Sequence, residues 1–289
     1  MMAMYLGVDA GGTSCKARLT DETGKVLGTG AAGPGNTRIG LDALYATLIE
    51  VCRQATEAAG LGEADLPEVR VGMGIAGINR MGMKAKIQAL AFPFRSLALS
   101  SDAMIANLGA HAGGDGAILI LGTGSVGLIK RGEDSTSIGG YGFPISDEGS
   151  GAALGLSAIR HALRALDGRT RPTPLSQALT QRFDHAIPSV IAWMDGATPA
   201  DYAGFAPLVL AHAETGDEIA LSIVRDAALH VERFIETIFA RGANRCVLMG
   251  GLAEPMTPWL RARIVDRLVS PLGDALDGAL LLAGRPLPG

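Results

Sequence analysis

Residues 5–14, Tyr5-Leu6-Gly7-Val8-Asp9-Ala10-Gly11-Gly12-Thr13-Ser14, decide how this chain is read. An apolar run ends in an aspartate and a Gly/Thr turn, a second run follows in Lys16-Ala17-Arg18-Leu19, and the polar turn Asp21-Glu22-Thr23-Gly24 breaks it. The same plan returns downstream. There Ala117 to Leu121 is apolar, the turn is Gly122-Thr123-Gly124-Ser125, the second run is Val126 to Lys130, and the break is Arg131-Gly132-Glu133-Asp134. Each turn offers bare backbone N–H groups and a hydroxyl to an anion. The repetition implies two related halves, and a nucleotide polyphosphate is the ligand such a pair of turns fits.

Working outward, the loop Gly33-Pro34-Gly35-Asn36-Thr37 precedes a stretch from Gly40 to Ala59 with helical spacing in Leu41, Leu44, Leu48 and Val51. Val69 to Gly77 reads as a strand running into a loop, Ser96 to Ser100 as another strand, and Ala103 to His111 as a helix. Strands alternating with helices predict an α/β architecture with a parallel portion in each sheet. The glycine-rich break at His111-Ala112-Gly113-Gly114-Asp115-Gly116 marks the boundary, giving a first lobe over 1–111 and a second over 112–273. In the second lobe a Gly-rich loop at 139–144 leads to a helix opening near Ser150, and 169–174 is a polar connector. Helices are predicted over 203–213 and 217–241, then the strand Cys246-Val247-Leu248-Met249 and a last helix from Asp274, which completes the first lobe.

Composition narrows the function classes. The 289 residues are 48% hydrophobic and 19% charged, with only 4% aromatic, as expected of an aliphatic-cored folded chain. Forty glycines are twice the ordinary share of about 7%. A net charge of -4 without a Lys/Arg run argues against nucleic acid as partner. Cys15, Cys52 and Cys246 show no Cys-x-x-Cys spacing and read as reduced, buried thiols. No leader-like opening and no membrane-length apolar run is seen, so a cytoplasmic protein without membrane contact is expected.

Several motifs fail on inspection. Gly72/Gly74/Gly77 and Gly122/Gly124/Gly127 match G-x-G-x-x-G, but the residue twenty past Gly77, where the ribose acid would stand, is Leu97, and Gly127 runs into a strand instead of a helix. There is no Walker P-loop, no G-x-S-x-G elbow, and no zinc spacing among His111, His161, His185, His212 and His230.

Three acidic positions carry the chemistry. Asp9, ending a strand just before the first turn, is placed to face bound phosphates through magnesium-held water, a turn cap being the bland alternative. Asp102 ends a strand at a helix start, where it could take a proton from a substrate hydroxyl or cap the helix. Asp147-Glu148-Gly149-Ser150, after the Gly-rich loop, mixes acceptors with backbone donors, as a polyhydroxylated ligand requires. Lys16 is a secondary phosphate candidate.

The three turns Gly7 to Thr13, Leu121 to Ser125 and Met249-Gly250-Gly251-Leu252 resemble the phosphate-1, phosphate-2 and adenosine motifs of the actin-like ATPase and sugar kinase superfamily. Gly139-Gly140-Tyr141-Gly142 with Asp147-Glu148-Gly149-Ser150, Ser101-Asp102-Ala103 and Asp277-Gly278-Ala279-Leu280 resemble its N-acetylglucosamine and glucosamine kinases. The resemblance implies a two-lobed ribonuclease H-like fold, each lobe a mixed sheet flanked by helices. It implies ATP and Mg2+, with Asp9 on the magnesium side and Gly11, Gly12, Thr13, Lys16, Thr123, Gly124 and Ser125 around the phosphates. Asp217, Gly250, Gly251 and Leu252 would border adenosine, and Asp102 would activate the sugar's 6-hydroxyl. Asn36, Gly140, Tyr141 and Asp147 would hold the ring, with Tyr141 departing from the Trp common in relatives.

The chain is thus expected to be an amino-sugar kinase closing two lobes over its substrates, as a monomer or homodimer. N-acetylglucosamine is slightly preferred over glucosamine as acceptor. Two alternatives differ in class. An ATPase activating an acyl-CoA reductase would need a cysteine pair for a shared iron–sulfur cluster, which the three cysteines do not supply. A sugar-sensing regulator would need a DNA-reading module, for which no room is seen ahead of Tyr5.

Overall fold

The turn after Ala10 joins β1 (Met4–Ala10) to β2 (Cys15–Asp21), and β3 (Val26–Ala32), α1 (Leu41–Ala58), β4 (Val69–Ile75), α2 (Met83–Gln88), β5 (Ser96–Ser100) and α3 (Asp102–Ala110) come after them. Next come β6 (Gly116–Leu121), β7 (Ser125–Arg131), β8 (Asp134–Gly139), α4 (Gly151–Leu166), α5 (Pro174–Gln181), α6 (Ile187–Gly196), α7 (Pro199–Ala203), α8 (Ala206–Glu214) and α9 (Glu218–Ala240). The chain ends through β9 (Cys246–Met249), α10 (Ala253–Met256), α11 (Ala262–Val265) and α12 (Ala275–Leu282). The structure, a computed structural model, describes residues 3–287. They form two units, one holding the chain up to Gly116 together with the segment from Ser270, the other holding Ala117–Val269.

In the first unit the sheet order is β3-β2-β1-β4-β5. The β1–β2 and β2–β3 pairs are antiparallel, and β1–β4 and β4–β5 are parallel. Leu6, Val8, Ala17, Leu19, Val71 and Met73 meet Leu44, Leu48 and Val51 of α1 in its core. The apolar stripe of α1 recurs every three or four residues, so a single helix face covers the sheet. The C-terminal α12 lies against β1 and β4 at Gly7 and Gly72: a Cβ on Gly7 would stand 2.7 Å from the Leu276 carbonyl oxygen. Only glycine lets a helix come this near a strand.

The second unit has a four-stranded sheet in the order β8-β7-β6-β9, with β6 and β9 parallel and β7 and β8 antiparallel. Its core joins Leu119 and Leu121 to Leu154, Ile159, Val224, Val231 and Ile235 of α4 and α9. An aromatic group of Phe183, Trp193, Tyr202 and Phe205 holds α5 to α8 together, with ring centroids 4.8–6.1 Å apart. The α/β class with two mixed sheets is as read from sequence. The third strand of each sheet, β3 and β8, and the helices α5 to α7 are additions to that reading. Among the described residues no helix is long and apolar enough to cross a membrane.

Candidate functional site

The first turn is a backbone construction. Gly11 N–H donates to the Ser14 carbonyl at 3.0 Å, and the Gly11 carbonyl accepts from Gly35 N–H at 3.0 Å. Gly12 and Thr13 are exposed, with no atom near the space a Gly12 Cβ would fill. Asn36, expected on the sugar, is engaged locally: its Nδ2 donates to the Gly12 carbonyl at 3.2 Å and its Oδ1 accepts from Arg38 N–H at 2.9 Å. The amide therefore braces the phosphate-like turn from the side.

Asp9 stands at the end of β1, opposite Lys16 on β2 and Gly74 on β4. Burial, with the Asp102 charge behind it, pushes its pKa up to about 6, although Lys16 pulls the other way. Asp102 opens α3. The helix cap is Ser101, whose hydroxyl accepts from Met104 N–H at 3.1 Å, so the capping role considered for Asp102 belongs to its neighbour. Burial raises the Asp102 pKa against the hydrogen bonds of the first-turn amides. Two acids with raised proton affinity, Asp102 by burial and Asp9 by burial and the Asp102 charge, with one cation alongside, form a setting suited to a divalent cation and a proton acceptor.

In the second unit the turn 122–125 is fastened on several sides. Gly122 N–H donates to the Gly124 carbonyl at 2.9 Å, while the Gly122 and Thr123 carbonyls accept from Gly151 N–H at 2.8 Å and Ala152 N–H at 3.2 Å. The first turn of α4 thus lies on the phosphate-like turn, and Ser150 caps that helix. Thr123 is exposed. Ser125 is buried, and its hydroxyl donates to the Glu148 carbonyl at 2.8 Å, tying the Gly-rich loop to the turn. Asp147 is held at φ 70°, with its Oδ2 2.9 Å from where a Gly124 Cβ would sit. Gly140 and Tyr141 are exposed, Tyr141 at 82%.

The Gly250-Gly251 turn closes on β6. Gly250 has φ 98°, a Cβ there would collide with the Leu121 carbonyl, and the same carbonyl accepts from Leu252 N–H at 3.0 Å. Leu252 itself is buried in the core. Asp217 is buried as well: Oδ1 accepts from Ile219 and Ala220 N–H at 3.0 Å each, and Oδ2 from Leu175 N–H at 2.8 Å. Burial pushes its pKa up, but the hydrogen bonds outweigh it and hold the carboxyl below the ordinary value. Leu252 and Asp217, both expected against adenosine, shape the neighbouring turns by packing and capping.

Among the described residues no cluster of His, Cys, Asp and Glu could by itself hold a metal ion. Cys15, Cys52 and Cys246 are all buried, and burial pushes the Cys15 thiol up to about 12. Sequence reasoning missed Ser101 as the cap and the Glu148 carbonyl as the partner of Ser125. The Ser-x-x spacing into α3 was available for the first; nothing local signals the second.

This arrangement has relatives. The chain is 39% identical over 285 residues to the glucosamine kinase GspK of Vibrio cholerae, covering 99% of this chain and 97% of that protein. It is 28% identical over 257 residues to an N-acetyl-D-glucosamine kinase of Dictyostelium discoideum, covering 82% and 80%. A solved structure of a candidate N-acetylglucosamine kinase from Chromobacterium violaceum superposes with a TM-score of 0.91 at 32% identity, covering 98% and 99%. These comparisons bear out the resemblance to the N-acetylglucosamine and glucosamine kinase group. With residues 6–283 matching the sequence profile of the BadF/BadG/BcrA/BcrD ATPase family, the chain belongs to that family.

Proposed function

We propose that this protein is an ATP-dependent amino-sugar kinase that transfers the γ-phosphoryl group of Mg-ATP to the 6-hydroxyl of glucosamine or N-acetylglucosamine. The observation that carries the reading is Asp102: a largely buried carboxylate with raised proton affinity, relieved of capping by Ser101, in the same unit as Asp9 and the Gly11–Thr13 turn. In this reading Asp102 accepts the hydroxyl proton as the sugar oxygen bonds to the γ-phosphorus. The bond from that phosphorus to the bridging oxygen breaks, and ADP leaves.

Gly11, Gly12 and Thr13 would meet phosphate oxygens with backbone N–H groups and a hydroxyl, and Lys16 would add charge. Thr123 and Gly124 would do the same from the second unit, where the Ser125 hydroxyl fixes the turn. Gly250 and Gly251 would border adenosine, with Asp217 and Leu252 shaping the adjoining turns. Asp9 fits a magnesium ion through water, because a half-buried carboxylate facing one lysine gains from a further cation; the ion supplies charge neutralisation on the phosphates. Asp147, Gly140 and Tyr141 would meet the sugar, while Asn36 braces the Gly11–Thr13 turn.

Of the two acceptors we favour glucosamine, since the relative that is 39% identical over nearly the whole chain is a glucosamine kinase. The activator alternative requires cysteines that can share an external cluster, and all three here are buried. The test is ADP release with glucosamine, N-acetylglucosamine and glucose, with NMR location of the phosphate. A site that hydrogen-bonds an amine or acetamide rejects the sugar lacking it, so kcat/KM for glucose should be lower by at least about tenfold. Glucose used equally well, or phosphate on the anomeric oxygen, would overturn the assignment. N-acetylglucosamine used better than glucosamine would overturn the choice of acceptor.

A further inference from the structure

Arg18 lies on β2 opposite Gly7 of β1, two positions past Lys16. Its guanidinium forks over the first turn of α12: Nη1 donates to Asp274 Oδ1 at 3.1 Å and Asp277 Oδ1 at 3.0 Å, and Nη2 to Asp274 Oδ2 at 2.6 Å. The two carboxylates already form that helix's capping box, with Asp277 N–H on Asp274 Oδ1 at 2.9 Å and Asp274 N–H on Asp277 Oδ2 at 3.1 Å. One side chain therefore joins the strand beside Asp9 to the N-terminus of a helix far along the chain. Bidentate arginine–carboxylate pairs fix direction as well as distance.

The helix has no slack on its other side. A Cβ on Gly109 of α3 would collide with the Asp274 carbonyl, and one on Gly278 of α12 with the Ile105 carbonyl of α3. Backbone meets backbone at this crossing, so no side chain can repack to absorb a shift. A movement of α12 is passed directly to α3, whose first residue is Asp102.

We infer that Arg18 is a positioning residue: by fixing the start of α12 against β2, it sets the spacing between Asp102 on α3 and Asp9 on β1. The consequence for turnover rests on the kinase reading above. Displacements of about 1 Å in such a pair can cost about 10²-fold in rate.

The test uses the full chain with Arg18→Gln, Arg18→Lys and the milder Asp277→Asn, and Val51→Ala as a control that loosens the α1 core. Arg18→Gln is expected to lower kcat by about 10–100-fold with KM for ATP and amino sugar within about threefold. Lysine keeps the charge without the fork, so Arg18→Lys should recover only part of the loss. Asp277→Asn should lose less, in the same direction. Backbone hydrogen exchange over residues 102–110 should quicken in Arg18→Gln and stay as in the parent protein in Val51→Ala. That exchange reads the positioning whether or not amino sugars are the acceptors, so failure of the kinase reading shows separately, as a parent protein that does not phosphorylate them. Wild-type kcat in Arg18→Gln, an equal kcat loss in Val51→Ala, or unchanged exchange over 102–110 would each overturn the inference.

Discussion

Asp102 owes its availability to one neighbouring hydroxyl. Because Ser101 takes the Met104 N–H, the aspartate one position later is not the cap residue; burial raises its carboxylate's affinity for a proton and outweighs the hydrogen bonds it accepts from the Ala103 and Asp102 amides of the first turn. A general base must be deprotonated to act. With its pKa raised above the ordinary aspartate value of about 3.9, activity should be full at neutral pH and fall on acidification at a higher pH than an unperturbed aspartate would give. Replacing Asp102 by Asn keeps the shape and removes the acceptor for the proton. We expect kcat to fall by about 10²–10⁴-fold while ATP affinity stays within a few-fold. Steady-state kinetics across about pH 5–8, with titration calorimetry for the nucleotide, check this. Wild-type turnover in Asp102→Asn would reduce the residue to a first-turn acid of α3.

Among the elements, α9 holds a carboxylate that does not belong to the reaction. Glu232 is buried, its Oε1 accepts from Arg261 N–H at 2.7 Å, and its Oε2 pairs with the Arg261 guanidinium. Burial pushes its pKa up, but the Arg261 side chain and backbone bonds outweigh that and hold it below the usual value. Glu232→Ala breaks a charged hydrogen bond and leaves the Arg261 amide without its partner, at a cost of about 1.5–3 kcal/mol in urea unfolding near pH 7. A folded-state pKa below the unfolded one contributes stability above the unfolded value and loses it as pH falls through the folded one. The gap between the variant and the parent protein should therefore narrow between about pH 5 and pH 3. A gap constant over that range would remove the ion pair from the account. The pair also marks where sequence stops being legible. The stripes of α1, α4 and α9 recur at helical spacing and are read directly, as are Asp9 and the turns 11–13 and 122–125, because strand, turn and ligand group are local. The strands β3, Val-Leu-Gly-Thr-Gly-Ala-Ala, and β8, Asp-Ser-Thr-Ser-Ile-Gly, have little apolar alternation, and their ladders with β2 and β7 decide them. Asp217 and Leu252 are buried, and a buried cap and a buried turn look the same in sequence as ligand contacts. Glu232–Arg261 and Arg18–Asp274 join positions no local pattern relates.

At the scale of the whole molecule, the two units stand differently in the chain. Each repeats a hairpin joined to a parallel strand and has its own core, but the second is one continuous segment, Ala117–Val269, whereas the first needs the segment from Ser270 to be complete. In that first unit α12 covers β1, β4 and α3, and Leu280 and Ala279 are fully buried there. Burying a leucine is worth about 1.5–3 kcal/mol, against a total stability of about 5–15 kcal/mol for a typical domain. Losing the helix takes Leu280 and Ala279 out of the core and uncovers the backbone-tight contacts at Gly7, Gly72 and Gly109. We therefore expect residues 117–269 expressed alone to melt cooperatively with a dispersed NMR spectrum, and residues 1–116 alone to show neither property. Joining residues 270–289 to the latter through a flexible linker should restore both, because the same surfaces are then covered at high effective concentration. Cooperative unfolding of residues 1–116 without the C-terminal segment would show that α12 is an attachment to a finished domain. It would also weaken the case that the helix governs where Asp102 stands, since a helix the sheet can spare is a poor lever on α3.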